Sequence, residues 1–185
     1  MHKYILVTGL MGSGKSTLIN EFIIRFEIEP FTKPPVEAKF RGMDFEFIDS
    51  VFALKKNDIQ YNFYELDEPT INKWVQFINV ADVIILVHNK NPKQFYDNHQ
   101  RLIDNILKHS SDNTPIIFVI NNTDDLDDIS EIEKYYSASN IKNREIVKIM
   151  IGSQESTFDE KFGYRIKIPD QQLSELYDRA IQLIR

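Results

Sequence analysis

At 185 residues the chain is long enough for one domain with a sizeable core, and a 42% hydrophobic content excludes a disordered polypeptide. Its 28 acidic and 22 basic residues give a formal charge of −6, which disfavours a nucleic-acid backbone or an anionic bilayer as partner. The absence of cysteine excludes disulfides, thiolate metal sites and thiol-linked lipid anchors, and His2 stands where myristoylation needs glycine.

The first predicted element is the apolar run Tyr4–Thr8, a strand with no polar alternation. It opens on Gly9-Leu-Met-Gly-Ser-Gly14-Lys15-Ser16, which fits G-x-x-x-x-G-K-[ST] in full. A helix begins near Lys15, with Leu18, Ile19, Phe22, Ile23 and Phe26 at helical spacing. A glycine-rich loop between strand and helix suits phosphate: glycines let successive N–H groups turn inward, and the helix N-terminus adds its dipole. On this reading Gly9, Met11, Gly12, Ser13, Gly14, Lys15, Ser16 and Thr17 bind phosphate, with Lys15 at the β- and γ-phosphates and Ser16 on Mg2+. The competing reading is a tight turn with an incidental lysine.

Glu27–Gly42 carries Pro30, Pro34 and Pro35, which bar a regular helix or central strand. Phe45–Leu54 and Ile59–Leu66 alternate, the latter with Ile59, Tyr61 and Phe63 on one face. Joined by a Lys55–Asp58 turn, they read as an antiparallel edge hairpin. Continuous apolar strands follow at Val83–His88, Ile116–Ile120 and Ile146–Ile151. Between them lies the helical stripe Phe95, Tyr96, His99, Leu102, Ile103, Ile106 and Leu107. Glu155–Pro169 reads as a long polar connection, and Asp170 as the N-cap of a last helix with Leu173, Leu176, Tyr177, Ala180, Ile181 and Ile184 on one face. The pattern predicts one α/β domain over residues 1–185: a doubly wound, mostly parallel six-stranded sheet with one antiparallel edge hairpin and helices on both faces. Apolar runs too short to span a bilayer, and no signal-peptide pattern, give the expectation of a cytoplasmic protein without a direct membrane anchor.

After the fifth predicted strand, Asn121-Asn122-Thr123-Asp124 resembles the guanine-reading N-K-x-D motif of Ras-like and Arf-like small GTPases, which share a P-loop G domain. The resemblance implies that Asp124 accepts from the guanine N1–H and amino group, that Asn121 braces the phosphate loop, and that Asn122 stands at the lysine position. Gly152 and Ser153 occupy the place of the short turn whose N–H meets the guanine O6. The edge hairpin, and Trp74 in a helix before Ala81-Asp82, look most like the Arf-like branch. The implied ligands are GTP or GDP with Mg2+, and the implied partners are effectors with activating and exchange proteins. Read from the residues alone, Asn121–Asp124 is equally a helix cap followed by acidic residues.

The family's D-x-x-G element corresponds to Tyr64–Thr70, with either Glu65 or Asp67 at the acid position. Strand parity cannot choose between them. Neither frame supplies the glycine, and Pro69 or Ile71 takes the place of the glutamine that orients water. No catalytic residue is assigned, so the resemblance implies slow or partner-dependent hydrolysis. Thr32 stands at the distance of the switch threonine on Mg2+, giving Ser16, Thr32, Glu65 and Asp67 as metal candidates. Two alternatives stay open. One is a pseudo-GTPase scaffold; the other is an ATP-using small-molecule kinase, whose phosphate loop Gly9–Thr17 also resembles. The histidines His2, His88, His99 and His109 have no metal-ligand spacing.

Overall fold

A computed structural model of the chain describes residues 2–10, 12–25, 50–56, 59–65, 71–89, 92–111, 113–121, 134, 137, 144–149, 156–159, 163–166 and 170–184. The elements in order are β1 (His2–Thr8), α1 (Lys15–Arg25), β2 (Ser50–Lys56), β3 (Ile59–Glu65), α2 (Ile71–Val80), β4 (Val83–Asn89), α3 (Pro92–His109), β5 (Ile116–Asn121), β6 (Arg144–Ile149), β7 (Ser156–Asp159), β8 (Gly163–Ile166) and α4 (Asp170–Leu183). Six strands form one sheet in the order β2-β3-β1-β4-β5-β6, and β7 pairs with β8 in a separate two-stranded sheet.

β1 lies parallel to both β3 and β4, and β5 is parallel to β4 and β6. Within the six-stranded sheet, among the described residues, β2 alone runs antiparallel to its neighbour, from Ser50 opposite Glu65 to Lys56 opposite Ile59. Lys55 and Lys56 therefore belong to the ladder, not to the turn expected at 55–58, whose other two residues lie outside the described set. Charged residues are tolerated there because β2 is an edge strand, half open to water. β6 begins at Arg144, two residues before the apolar run that signals it.

Alternation along the strands sorts the core into two layers. One face of the sheet carries Leu6, Ile84, Leu86, Phe118 and Ile120 against Phe77 and Ile78 of α2 and Leu102, Ile103 and Ile106 of α3. The other carries Ile5, Val7, Phe63, Ile85, Val87 and Val119 against Leu18, Ile19 and Phe22 of α1 and Leu173, Leu176, Tyr177 and Ala180 of α4. The Val- and Ile-rich strands suit this double burial, since branched side chains pack well on a pleated surface. Leu107 departs from its expected place in the α3 stripe and is 38% exposed. It follows Ile106 by 100° of helical rotation, which turns it out of the contact with the sheet.

The side chains of Ile23, Trp74, Phe95, Tyr96 and His99 lie outside the described set, as does the whole of Glu27–Gly42. Asp170 is the first residue of α4 and so stands inside the helix, within the usual uncertainty of a boundary. Residues 155–169, expected as a loop, contain the β7–β8 pair. Thr157, Phe158, Tyr164 and Ile166 favour strand, but their polar and charged neighbours break the periodicity that would reveal it.

The sheet is fastened at the strand starts by Asp82. Its carboxylate accepts the Tyr4 N–H at 2.8 Å, its own N–H donates to the Tyr4 carbonyl at 2.8 Å, and the Lys3 ammonium lies 3.5 Å away. This sets the β1–β4 register, Ile5 opposite Val83, and leaves the opposite ends of the strands to carry function. Among the described residues, no helix is long and apolar enough to cross a membrane.

Two buried phenols give the fold a pH dependence. Burial, then the neighbouring Tyr4, pushes Tyr64 well above the ordinary tyrosine value. Burial, then Tyr61 and Asp178, does the same for Tyr177. Each stays protonated in the folded state while its unfolded counterpart ionises near 10, so the unfolded chain binds fewer protons above that pH. Stability from these groups is therefore full below pH ~10 and falls above it, by up to about 1.4 kcal/mol per pH unit for each tyrosine. Denaturant midpoints measured between pH 8 and 11 should fall only in the upper part of that range, and Tyr64→Phe should make the fall shallower.

Candidate functional site

β1 runs out at Thr8 in the middle of the sheet, with β3 on one side and β4 on the other. In an open α/β sheet the crevice beyond the strand ends, where the connections leave toward opposite faces, is where ligands bind. Gly9 and Gly12 have φ of 154° and 76°. Gly9 also lies against β4: a Cβ there would stand 2.2 Å from the Val87 carbonyl oxygen. The loop is drawn together on the Leu10 carbonyl, which accepts the Ser13 N–H at 3.1 Å and the Lys15 ammonium at 3.0 Å. Lys15 is only 4% exposed. Leu18 N–H donates to the Gly14 carbonyl at 2.9 Å, so α1 winds directly out of the loop and directs its first N–H groups there.

Glu65 closes the second side. It is the last residue of β3, opposite Val7 of β1, and shares strand parity with Tyr61 and Phe63 on the α1 face. Its carboxylate, 3% exposed, accepts the Ser16 hydroxyl at 2.6 Å. A buried anion beside a hydroxyl and close to a helix N-terminus is a hard oxygen pair able to meet a divalent cation. The third side is the end of β5. Asn121 is in register with Asn89 of β4 and Ile149 of β6, so the segment after it leaves from the same sheet edge.

Residues 4–122, more than half of the chain, match the family model of the 50S ribosome-binding GTPase. The match runs from the first buried strand through the glycine loop to the end of β5. The chain belongs to this GTPase family. It is a GTP-binding protein with a P-loop, and its ligands are GTP and GDP. No curated protein matches it.

In this GTPase the structure brings Gly9, Gly12, Ser13, Gly14, Lys15, Ser16, Thr17 and Glu65 to one place at the strand ends. Asn121 is described as backbone at that edge. Met11, Thr32, Asp67, Asn122, Asp124, Gly152 and Ser153 lie outside the described residues. Two contributors escaped the sequence reading, the Leu10 carbonyl that takes Lys15 and the Val87 carbonyl that presses on Gly9. Backbone carbonyls leave no residue-type signal, and Val87 reaches the loop only through the parallel pairing of β1 with β4. Glu65 was one of two acids that parity could not separate. Its carboxylate touches the Ser16 hydroxyl, while Asp67 lies outside the described residues.

Proposed function

We propose that the chain is a guanine-nucleotide switch of the Ras- and Arf-like type, one unit over residues 1–185, working in the cytoplasm with protein effectors and with activating and exchange proteins. The observation that carries this reading is the convergence of the Lys15 loop, the Ser16–Glu65 pair and the end of β5 at one sheet edge. Asn121-Asn122-Thr123-Asp124 continues from β5, which supports guanine reading by Asp124, with Asn121, Asn122, Gly152 and Ser153 around the base. The Ser16 hydroxyl and buried Glu65 carboxylate fit Mg2+ by donor type, and the contact between them favours Glu65 over Asp67 as the switch acid, with Thr32 as a further ligand. When bound, the cation supplies positive charge against the phosphates.

With Pro69 or Ile71 at the glutamine position, hydrolysis is slow or completed by a partner. The family description names the 50S ribosome as partner. With a formal charge of −6 this chain is suited to a protein surface better than to bare RNA.

The test is calorimetric titration of nucleotide-stripped protein with GDP, GTP, ADP and ATP, with and without Mg2+. Guanine nucleotides should bind at least about 100-fold more tightly than adenine nucleotides, because a site built to pair with a ligand's donors rejects analogues lacking them. Asp124→Ala should abolish most of that preference without changing the circular dichroism spectrum. Preference for ATP would overturn the reading in favour of a small-molecule kinase.

A further inference from the structure

The two core layers meet at the glycine-rich loop. Lys15 opens α1, whose Leu18, Ile19 and Phe22 pack into the layer shared with α4. Leu10, whose carbonyl takes the Lys15 ammonium, packs against the other layer, the one shared with α2 and α3. The 3.0 Å bond between them therefore joins a group resting on one face of the sheet to a group resting on the other.

A second observation concerns the loop's own composition. Among the described loop residues 9, 10 and 12–14, Leu10 alone has an apolar side chain, and it stands between Gly9 and Gly12, where the backbone turns most freely. The Val87 carbonyl limits where Gly9 sits, but it does not orient the peptide that follows Leu10. Seating the Leu10 side chain in a close-packed layer fixes its Cα. With the Ser13 N–H also bonded at 3.1 Å, the carbonyl has little choice of direction.

We propose that Leu10 is a positioning residue for nucleotide binding: its side chain, anchored in the α2–α3 layer, holds its own carbonyl where it seats the Lys15 ammonium for the phosphates. This rests on the reading of Lys15 as the phosphate-binding lysine. The Leu10 side chain touches no nucleotide in this scheme. An ammonium already seated loses little freedom on binding, so trimming the anchor weakens affinity by loosening Lys15 and not by removing a contact. The effect of Leu10 passes through Lys15, and the two residues are energetically coupled.

The experiment is calorimetric titration of the nucleotide-stripped full chain with GDP and Mg2+, in wild type, Leu10→Ala, Leu10→Met, Lys15→Ala and the double variant Leu10→Ala with Lys15→Ala. Leu10→Ala should weaken GDP binding by about 10-fold, while Leu10→Met, close in volume, should restore affinity to within about threefold of wild type. With Lys15 already truncated, Leu10→Ala should cost less than about twofold. An equal loss in both backgrounds would overturn the proposal, because Leu10 would then act through packing alone. Affinity within about twofold of wild type in Leu10→Ala would overturn it as well. If alanine at position 10 prevents folding, Leu10→Val carries the same cycle, with a loss of about three- to fivefold expected. Lys15→Ala separates the two readings. If it costs affinity while the Leu10 variants do not, the phosphate role of Lys15 stands and the anchor fails. If Lys15→Ala is inert, the reading of Lys15 falls and the anchor falls with it.

Discussion

Lys15→Ala is expected to lower GDP and GTP affinity by roughly 10²- to 10⁴-fold, since each charge-assisted hydrogen bond to phosphate contributes about 1.5–3 kcal/mol and a lysine at the β- and γ-phosphates makes two. The reason is local. Lys15 is held at the mouth of the loop by the Leu10 carbonyl at 3.0 Å, and at 4% exposure it has little freedom to point elsewhere. An ammonium positioned in advance loses little entropy on binding, so most of its attraction reaches the ligand. Truncation leaves the Leu10 carbonyl still bonded to the Ser13 N–H, and the domain stays folded. Lys15→Arg keeps the charge but not the compact tip, and should recover only part of the loss. Calorimetry with both nucleotides checks this. Affinity within threefold of wild type for Lys15→Ala would remove Lys15 from the phosphate site.

The second large effect belongs to Gly9→Ala, and it strikes stability and binding together. A Cβ at Gly9 meets the Val87 carbonyl oxygen at 2.2 Å and the Ser13 hydroxyl at 2.8 Å. The first obstacle is backbone of a strand whose side chains are buried on both faces, so it cannot swing aside as a flexible side chain would. The loop must move instead, carrying Leu10 and with it the seat of Lys15. A cost of about 3–5 kcal/mol is expected, in the range reserved for severe core clashes, lowering the thermal midpoint by roughly 10 °C or more. Gly12→Ala is the control. Nothing lies within 4 Å of its Cβ position, so only the left-handed backbone at φ 76° resists the change, at about 1–2 kcal/mol. Equal destabilisation by the two substitutions, in thermal melts of nucleotide-free protein, would refute the packing explanation.

Much of this protein is legible in the chain because its signals are local. Three apolar runs announce β1, β4 and β5, and helical stripes announce the buried faces of α1, α3 and α4. The glycine-lysine-serine loop is legible because phosphate chemistry needs particular residue types at fixed spacing, a constraint written in consecutive positions. The β7–β8 pair was not legible, since four-residue strands amid charges are too short to establish a period.

Sequence alone therefore determined the phosphate loop, the mostly parallel α/β plan and the acidic surface, because each depends on neighbours in the chain or on composition. Only the tertiary structure decided that Glu65 meets Ser16, that Val87 forbids a side chain at Gly9, and that Glu21 is buried on a helix whose apolar stripe was already complete. The two contacts join residues 49 and 78 positions apart, and the burial of Glu21 has no counterpart in the local spacing of α1. Strand order sets such distances, and no periodicity along a single strand or helix carries that information.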